Sequence, residues 1–511
     1  MSIFNKKTTR RTFIKGTAIG AAGIAASTSL PAAIASAVKP ADEFLDYDLV
    51  GMAELIKKKA VSPREMTQVV LNRIEKMNGT INFMSVQRAE KALEEAEKVD
   101  INASPLAGVP FLYKDMLDIA NVPRTDGSKI MLNNVPEQDS PYAASLRKAG
   151  IVNLGMTNVP EFTTTGLTDN DIIGPTYNPW DLAYSCIGSS GGAGGAVAAG
   201  VLPTVHGTDG GGSCRLPASA CHLLGMKPSR YRIQSPEASG VHDTFKTNQT
   251  LGRTVRDSAL LFDMTQDRSG KHLTPETLIT GPSSRRLKIA YIRDGMAGYE
   301  VEPSVQQVQD EAAVLLRELG HEVVEIKHPL NAEDFWLNFN NAFLVKFGPL
   351  LTGIEQMTGM PVRESKLLTN FTISMGEYGQ KITPEEAAAG LKYFDFIKAE
   401  FDKIHAEFDV VMSATLPIET PKVGDVSPKD EFTPEKMDTL QRTMSLTPIA
   451  NTTGAPAMSV PLGFSKKTGM PVGTMFQAQF GEDRMLYELA FELELAKPWK
   501  DVWAPHSLKF S

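Results

Sequence analysis

Cys186-Ile187-Gly188-Ser189-Ser190-Gly191-Gly192-Ala193 is followed by Thr208-Asp209-Gly210-Gly211-Gly212-Ser213-Cys214-Arg215, which sets two glycine-flanked serines, Ser189 and Ser213, 24 residues apart. Glycine lets a backbone turn sharply and lets a substrate approach main-chain N–H groups, the geometry needed to hold a developing oxyanion. One Gly-Ser-Ser-Gly-Gly segment by itself is usually a flexible loop or a helix start. Upstream, Gly108-Val109-Pro110-Phe111-Leu112-Tyr113-Lys114-Asp115 adds a lysine in an apolar setting. Nucleophile, relay and base then occur in order within about a hundred residues, a combination that points to hydrolysis through a Ser-Ser-Lys triad.

Further segments share this texture: Gly155-Met156-Thr157-Asn158-Val159-Pro160-Glu161-Phe162, Gly174-Pro175-Thr176-Tyr177-Asn178-Pro179-Trp180-Asp181, Gly225-Met226-Lys227-Pro228 and Gly454-Ala455-Pro456-Ala457-Met458-Ser459-Val460-Pro461. With the serine loops they make the chain resemble the amidase signature family over residues 45 to 500. The middle and C-terminal stretches, with His206-Gly207-Thr208-Asp209, look most like its cyclic-amide (nylon-oligomer) hydrolase branch. By motif position the resemblance implies Ser213 as nucleophile, Ser189 as bridging serine with a cis peptide bond, and Lys114 as base. It also implies an α/β fold with a large mixed sheet of about eleven strands and helices on both faces. The family varies its substrate cleft in the central region, here residues 331–405. The chain departs from the family pattern at Cys214 after the nucleophile, at Ile187 before Gly188, at the extra Gly210, and in Lys227-Pro228-Ser229-Arg230-Tyr231-Arg232, which lacks a glycine. An extra glycine would loosen the oxyanion loop and favour sluggish or ester-preferring turnover.

A serine hydroxyl attacks only when a base removes its proton, and lysine is a base only where burial disfavours its ammonium form. The apolar flanks Val109 to Tyr113 and Met116, Leu117 and Ile119 supply that burial, with Asp115 expected to point away. The backbone N–H groups of Gly210, Gly211, Gly212 and Ser213 are the expected oxyanion donors. Asp209 and Arg215 bracket the loop and are expected to tie it down rather than react.

The expected reaction is amide hydrolysis of small linear or cyclic carboxamides through an acyl-enzyme. Two other readings stand beside it, the glutaminase subunit of a tRNA-dependent amidotransferase and an inactive protein that binds amides or peptides. No Cys/His cluster has metal-ligand spacing, so neither metal nor other cofactor is expected. His206 and His222 read as structural.

Thr9-Arg10-Arg11-Thr12-Phe13-Ile14-Lys15, an Ala/Gly-rich run and Ala35-Ser36-Ala37 read as a cleaved twin-arginine signal over residues 1–37, which implies export to the periplasm or beyond. The amidase signature domain would then span residues 38–511. Removing the signal takes five basic residues and moves the net charge from −8 to −13, which gives no electrostatic reason to bind nucleic acid or anionic lipid. The expected partners are a small amide and at most a second copy of the chain as a homodimer, with no stable membrane association after cleavage. Of the three cysteines, Cys186, Cys214 and Cys221, folding before export favours free thiols. A bridge between Cys186 and Cys214 stays open, since their loops should meet.

Ser62-Pro63-Arg64-Glu65 predicts a capped helix that stops at Asn78-Gly79 and is followed by a strand. Leu287–Ile292, Pro303–Leu319 and Glu322–Ile326 predict a βαβ unit. Thr383-Pro384-Glu385-Glu386 predicts another helix start. Phe335, Phe339, Phe343 and Phe347 recur every four residues, an aromatic stripe expected in the core, with one edge open to a pocket role.

Overall fold

The computed structural model describes residues 42–235 and 245–511. The signal expected over residues 1–37 lies outside them. Eleven strands carry the fold: β1 (Met84–Gln87), β2 (Pro110–Lys114), β3 (Val152–Thr157), β4 (Thr204–Asp209), β5 (Leu224–Lys227), β6 (Thr247–Gly252), β7 (Lys288–Ile292), β8 (Glu322–Ile326), β9 (Val410–Ala414), β10 (Ala457–Phe464) and β11 (Pro471–Ala478). They do not form the single sheet of about eleven strands that the resemblance implies. Eight make a mixed sheet in the order β8-β7-β9-β11-β10-β5-β6-β4, and three make a separate sheet in the order β1-β3-β2. At the seam, the Lys114 N–H of β2 donates to Nδ1 of His206 on β4 at 3.2 Å, a side chain standing where a ladder carbonyl would be.

Both faces of the large sheet are covered. On β7, Ile289 and Tyr291 join one apolar cluster while Ala290 and Ile292 join another, and Val410 and Val411 on β9 divide in the same way. Successive side chains of a strand point to opposite faces, so a nearly continuous apolar run marks a strand buried on both sides. The βαβ unit forms as its pattern predicts, with β7 and β8 parallel and joined by the helix Pro303–Glu318.

Ser62 caps the helix α1 (Pro63–Ile81): its hydroxyl accepts from Glu65 N at 3.2 Å and Glu65 Oε2 accepts from Ser62 N at 2.9 Å. The predicted stop at Asn78-Gly79 falls one turn early. Asn82, not Gly79, takes the left-handed conformation (φ 60°), while Asn78 Oδ1 accepts from Phe83 N and Met84 N and turns the chain into β1. Thr383 and Glu386 form the same reciprocal cap on the helix Pro384–His405. The region from Ala332 to His405 is built of five helices and short connections, with no strand. Phe335, Phe339 and Phe343 lie on the helix Ala332–Leu344, whereas Phe347 opens the next one, so the stripe is three residues long on one helix. Among the described residues no helix is long and apolar enough to cross a membrane.

Candidate active site

Three chain segments converge beside the seam. The first is the end of β2, where Lys114 is fully buried. His206 accepts the Lys114 N–H at Nδ1, which leaves its Nε2–H to donate to Asn248 Oδ1 at 3.2 Å. Burial lowers the His206 pKa to about 3, so the ring is neutral and serves as a strut. Lys114 Nζ reaches Ser189 Oγ at 2.7 Å and Thr208 Oγ1 at 2.9 Å. Removal from water brings the Lys114 pKa down to about 7, since a buried ammonium is disfavoured against the neutral amine. Asp115 turns away from the amine and accepts from Thr125 N and Oγ1 at 2.8 and 2.5 Å.

The second segment is the loop from Cys186 into the helix α2 (Gly191–Ala198). The Gly188-Ser189 peptide is cis. Ser189 faces Lys114, while its neighbour Ser190 donates to the Thr208 carbonyl at 3.2 Å and fastens the loop to β4. Gly192 is required by close packing, because a Cβ there would lie 2.4 Å from Asn158 N and 2.6 Å from Asn158 O.

The third segment is Gly210 to Cys214, between β4 and the short helix α3 (Arg215–Ala220). Asp209 and Arg215, both fully buried, pair in a fork: Nε donates to Oδ2 at 2.9 Å and Nη2 to Oδ1 at 3.0 Å. Burial works to raise the Asp209 pKa, but the Arg215 charge and hydrogen bonds hold it well below the usual carboxylate range. The same carboxylate accepts from Gly212 N at 2.8 Å and Cys214 N at 3.2 Å. The expected oxyanion donors divide here. The Gly212 N–H is committed to Asp209, and only Gly210, Gly211 and Ser213 border the adjoining cavity. Gly212 instead serves the turn: its φ is 129° and a Cβ would meet Thr447 Oγ1 at 2.3 Å.

The arrangement sets a half-buried serine, Ser213, and a buried serine, Ser189, on the wall of a cavity of about 290 Å³, with the neutral-prone Lys114 behind Ser189. A model of the Amidase family matches residues 65–487. The chain belongs to the amidase family. Among curated relatives, a protein of Mycobacterium leprae that carries the name amidase AmiC is 33% identical over 467 residues, covering 90% of this chain and 97% of the relative. A glutamyl-tRNA(Gln) amidotransferase component of Nocardia farcinica is 30% identical over 491 residues, covering 87% and 97%. Among solved structures, a 6-aminohexanoate cyclic dimer hydrolase complexed with substrate superposes with a TM-score of 0.81 at 27% identity, covering 90% of this chain and 99% of that one. The fold is the amidase signature fold, and the chain is a hydrolase acting on carbon–nitrogen bonds of amides.

Aromatic and thioether side chains dominate the cavity wall of this amidase. Trp336, Phe339 and Phe343 come from the helix Ala332–Leu344, Phe371 and Met375 from Asn370–Gly379, and Met437 and Leu440 from Pro434–Thr443. Of the charged residues that border it, Arg124 and Asp126 pair with each other at 2.8 and 2.9 Å, and Lys246 and Lys346 are the others. Phe335 turns into the core beneath, so the aromatic stripe divides between packing and pocket.

All three cysteines are free and buried. No disulfide joins Cys186 to Cys214, and Cys221 Sγ lies 4.0 Å from the Cys186 carbonyl. His222 stacks on Phe464 at 4.5 Å, and burial lowers its pKa to about 3. Several residues of the site escape the sequence reading. Thr447 Oγ1 donates to the Gly211 carbonyl at 2.7 Å, and Asn451 Nδ2 donates to Asp209 O and Oδ1 at 3.1 and 3.0 Å. Both come from the segment just before Gly454-Ala455-Pro456, and proximity to that motif is the one signal that pointed there.

Proposed function

We propose that this amidase cleaves small amides with an apolar acyl or aryl group through an acyl-enzyme on Ser213. Ser189 is the relay and Lys114 the base. Ser213 Oγ attacks the carbonyl carbon, its proton passes to Ser189 Oγ, and the proton of Ser189 passes to Lys114 Nζ. The carbonyl pair moves onto oxygen, where the N–H groups of Gly210, Gly211 and Ser213 receive it. Collapse breaks the C–N bond, and the proton returns through Ser189 to the leaving nitrogen. Water then enters by the same relay, releasing the acid and restoring Ser213.

The observation that carries this reading is the 2.7 Å contact between Lys114 Nζ and Ser189 Oγ at a lysine whose pKa lies near 7. A base serves best with a pKa near the working pH. The wall of phenylalanine, tryptophan and methionine supports an apolar substrate, and the cyclic dimer hydrolase neighbour supports a cyclic or oligomeric amide as the first to try. Release of ammonia or amine from aliphatic, aromatic, cyclic and peptide amides, compared with Ser213→Ala, tests it. Turnover lost in the variant is expected; turnover retained would remove Ser213 from its role. Glutamine turned over in preference to apolar amides would favour the glutaminase reading, and failure of a fluorophosphonate to label Ser213 would favour the binding protein.

We also propose export through the twin-arginine route, on the pattern Thr9 to Lys15. Replacing Arg10 and Arg11 together by lysine should leave the enzyme in the cytoplasmic fraction of an expressing bacterium, whereas unchanged fractionation would exclude this route.

A further inference from the structure

A hydroxyl beside a basic amine can act in two opposite ways. Its oxygen can accept an N–H, or its O–H can donate to the nitrogen lone pair. Thr208 stands in that position, with Oγ1 2.9 Å from Lys114 Nζ. If Thr208 donated, it would occupy the lone pair that must take the proton from Ser189, and the base would be blocked by its own neighbour.

Met116 removes the ambiguity. Its Sδ lies 2.9 Å from Thr208 Oγ1, and a thioether sulfur carries no proton, so it can only accept. The Thr208 O–H therefore points to Met116, and the Thr208 oxygen is left to accept from Lys114. Of the positions around Nζ, the one facing Thr208 then holds an N–H, and the lone pair stays available to Ser189 at 2.7 Å. The backbone holds Met116 in place for this, because its N–H donates to the Lys114 carbonyl at 2.7 Å in a tight turn that brings residue 116 back beside residue 114.

We infer that Met116 is a positioning residue: its sulfur fixes the direction of the Thr208 hydroxyl and so keeps the lone pair of Lys114 open to Ser189. This rests on the triad proposed above. No bond changes at Met116 itself; the proton still passes from Ser213 to Ser189 to Lys114 and back to the leaving nitrogen.

The consequence has a signature that loose packing would not give. In Met116→Leu the side-chain volume is kept and the acceptor is lost, so Thr208 is free to donate to the neutral amine. A hydrogen bond to the neutral form favours it over the ammonium. The acidic limb of kcat should therefore move to lower pH while the plateau falls by about tenfold, the effect of one misdirected hydrogen bond. A gap that let water reach Lys114 would move the limb the other way, toward the ordinary lysine range. Because Met116 also borders the cavity, a purely steric role would appear in KM.

The test is kcat and KM against pH for the wild type, Met116→Leu, Met116→Gln, Thr208→Val and the double variant Met116→Leu/Thr208→Val, with Ser213→Ala as control and thermal melts for all. The expected result is a lowered plateau and a limb at lower pH in Met116→Leu, recovery in Met116→Gln, whose amide oxygen can accept, and no added effect of Met116→Leu once Thr208 is valine. Met116→Ala takes the place of the leucine variant if that one does not fold. A wild-type plateau and limb in Met116→Leu, a limb moved upward, a loss confined to KM, or an equal loss in the Thr208→Val background would each overturn the inference. If Ser213→Ala is inactive and Met116→Leu behaves as wild type, the inference alone fails; if Ser213→Ala keeps turning over, the triad reading fails and takes the inference with it.

Discussion

Lys114 and Lys227 are the two lysines of the described chain with the deepest burial, at 0% and 1% exposure, and burial brings both to a pKa of about 7. By titration alone they are equivalent bases. Their neighbours separate them. Lys227 Nζ donates to the Pro228 carbonyl at 2.8 Å, a group with no proton to give. Lys114 faces two hydroxyls, those of Ser189 and Thr208, and Ser189 borders the cavity together with Ser213. Desolvation supplies a neutral amine, but a relay also requires a partner that can lose a proton.

The largest effect that follows is on turnover. Lys114→Ala should lower kcat by about 10²- to 10⁴-fold, the usual worth of a positioned acid or base, while Lys227→Met should leave kcat unchanged. Equal losses in the two variants would erase the distinction. The pH profile sharpens it further. Lys114 must be neutral to accept a proton, so kcat/KM should rise as pH increases through about 7, and the Lys227→Met profile should keep that same limb. A limb that disappears in Lys227→Met would assign the titration to the wrong lysine.

The sequence made these roles readable to an unequal degree. Lys114, Ser189 and Ser213 could be proposed because glycine-rich loops leave a local trace and the family resemblance assigns each a motif position. The loop proposed to hold the oxyanion could be located, but its donors could not be sorted, because the return of the Asp209 carboxylate onto the Gly212 N–H depends on Arg215 and Asn451 holding that carboxylate from two sides. Thr447 and Asn451 lie more than 230 residues beyond the loop they hold, and nothing periodic connects them to it. The resemblance implies one sheet of about eleven strands, and no pattern in β2 or β4 announces the seam that His206 fills. Asn78-Gly79, a strong turn signal, predicts the end of α1, yet Asn82 takes the left-handed position one turn later, since Asn enters that region more readily than most residues.

Phe335 and Phe343 repeat the lysine comparison in apolar form, with one residue type on one helix and two kinds of neighbour. Phe335 packs against Trp336 and Phe339 in the core, whereas Phe343 is half-buried in the cavity wall. Phe335→Ala should cost about 3–5 kcal/mol in denaturant unfolding, as buried phenylalanine truncations do, with little change in substrate preference among the active molecules. Phe343→Ala should cost less stability and should change the ratio of kcat/KM between a bulky and a small amide by about tenfold, the scale of a lost apolar contact in a pocket. Similar melting losses with an unchanged preference would place both in the core.

The smallest effect belongs to Lys227. Its pKa is lowered from 10.5 to about 7 on folding, so between those values the unfolded chain holds a proton that the folded chain does not. Stability must then rise with pH across that window and fall as pH drops back toward about 7. Lys114 contributes a slope of the same sign for the same reason. Lys227→Met keeps the apolar stem, removes the amine and takes one of the two contributions away, so the melting temperature should increase near pH 7 and its slope from there to pH 10.5 should become shallower. Because the Pro228 carbonyl loses only a donor, and the amine that is removed was itself poorly satisfied, the gain at neutral pH should outweigh that hydrogen bond, worth about 1 kcal/mol. A slope unchanged by Lys227→Met would mean that Lys227 keeps its proton in the folded enzyme and that Lys114 alone among the two is a neutral amine.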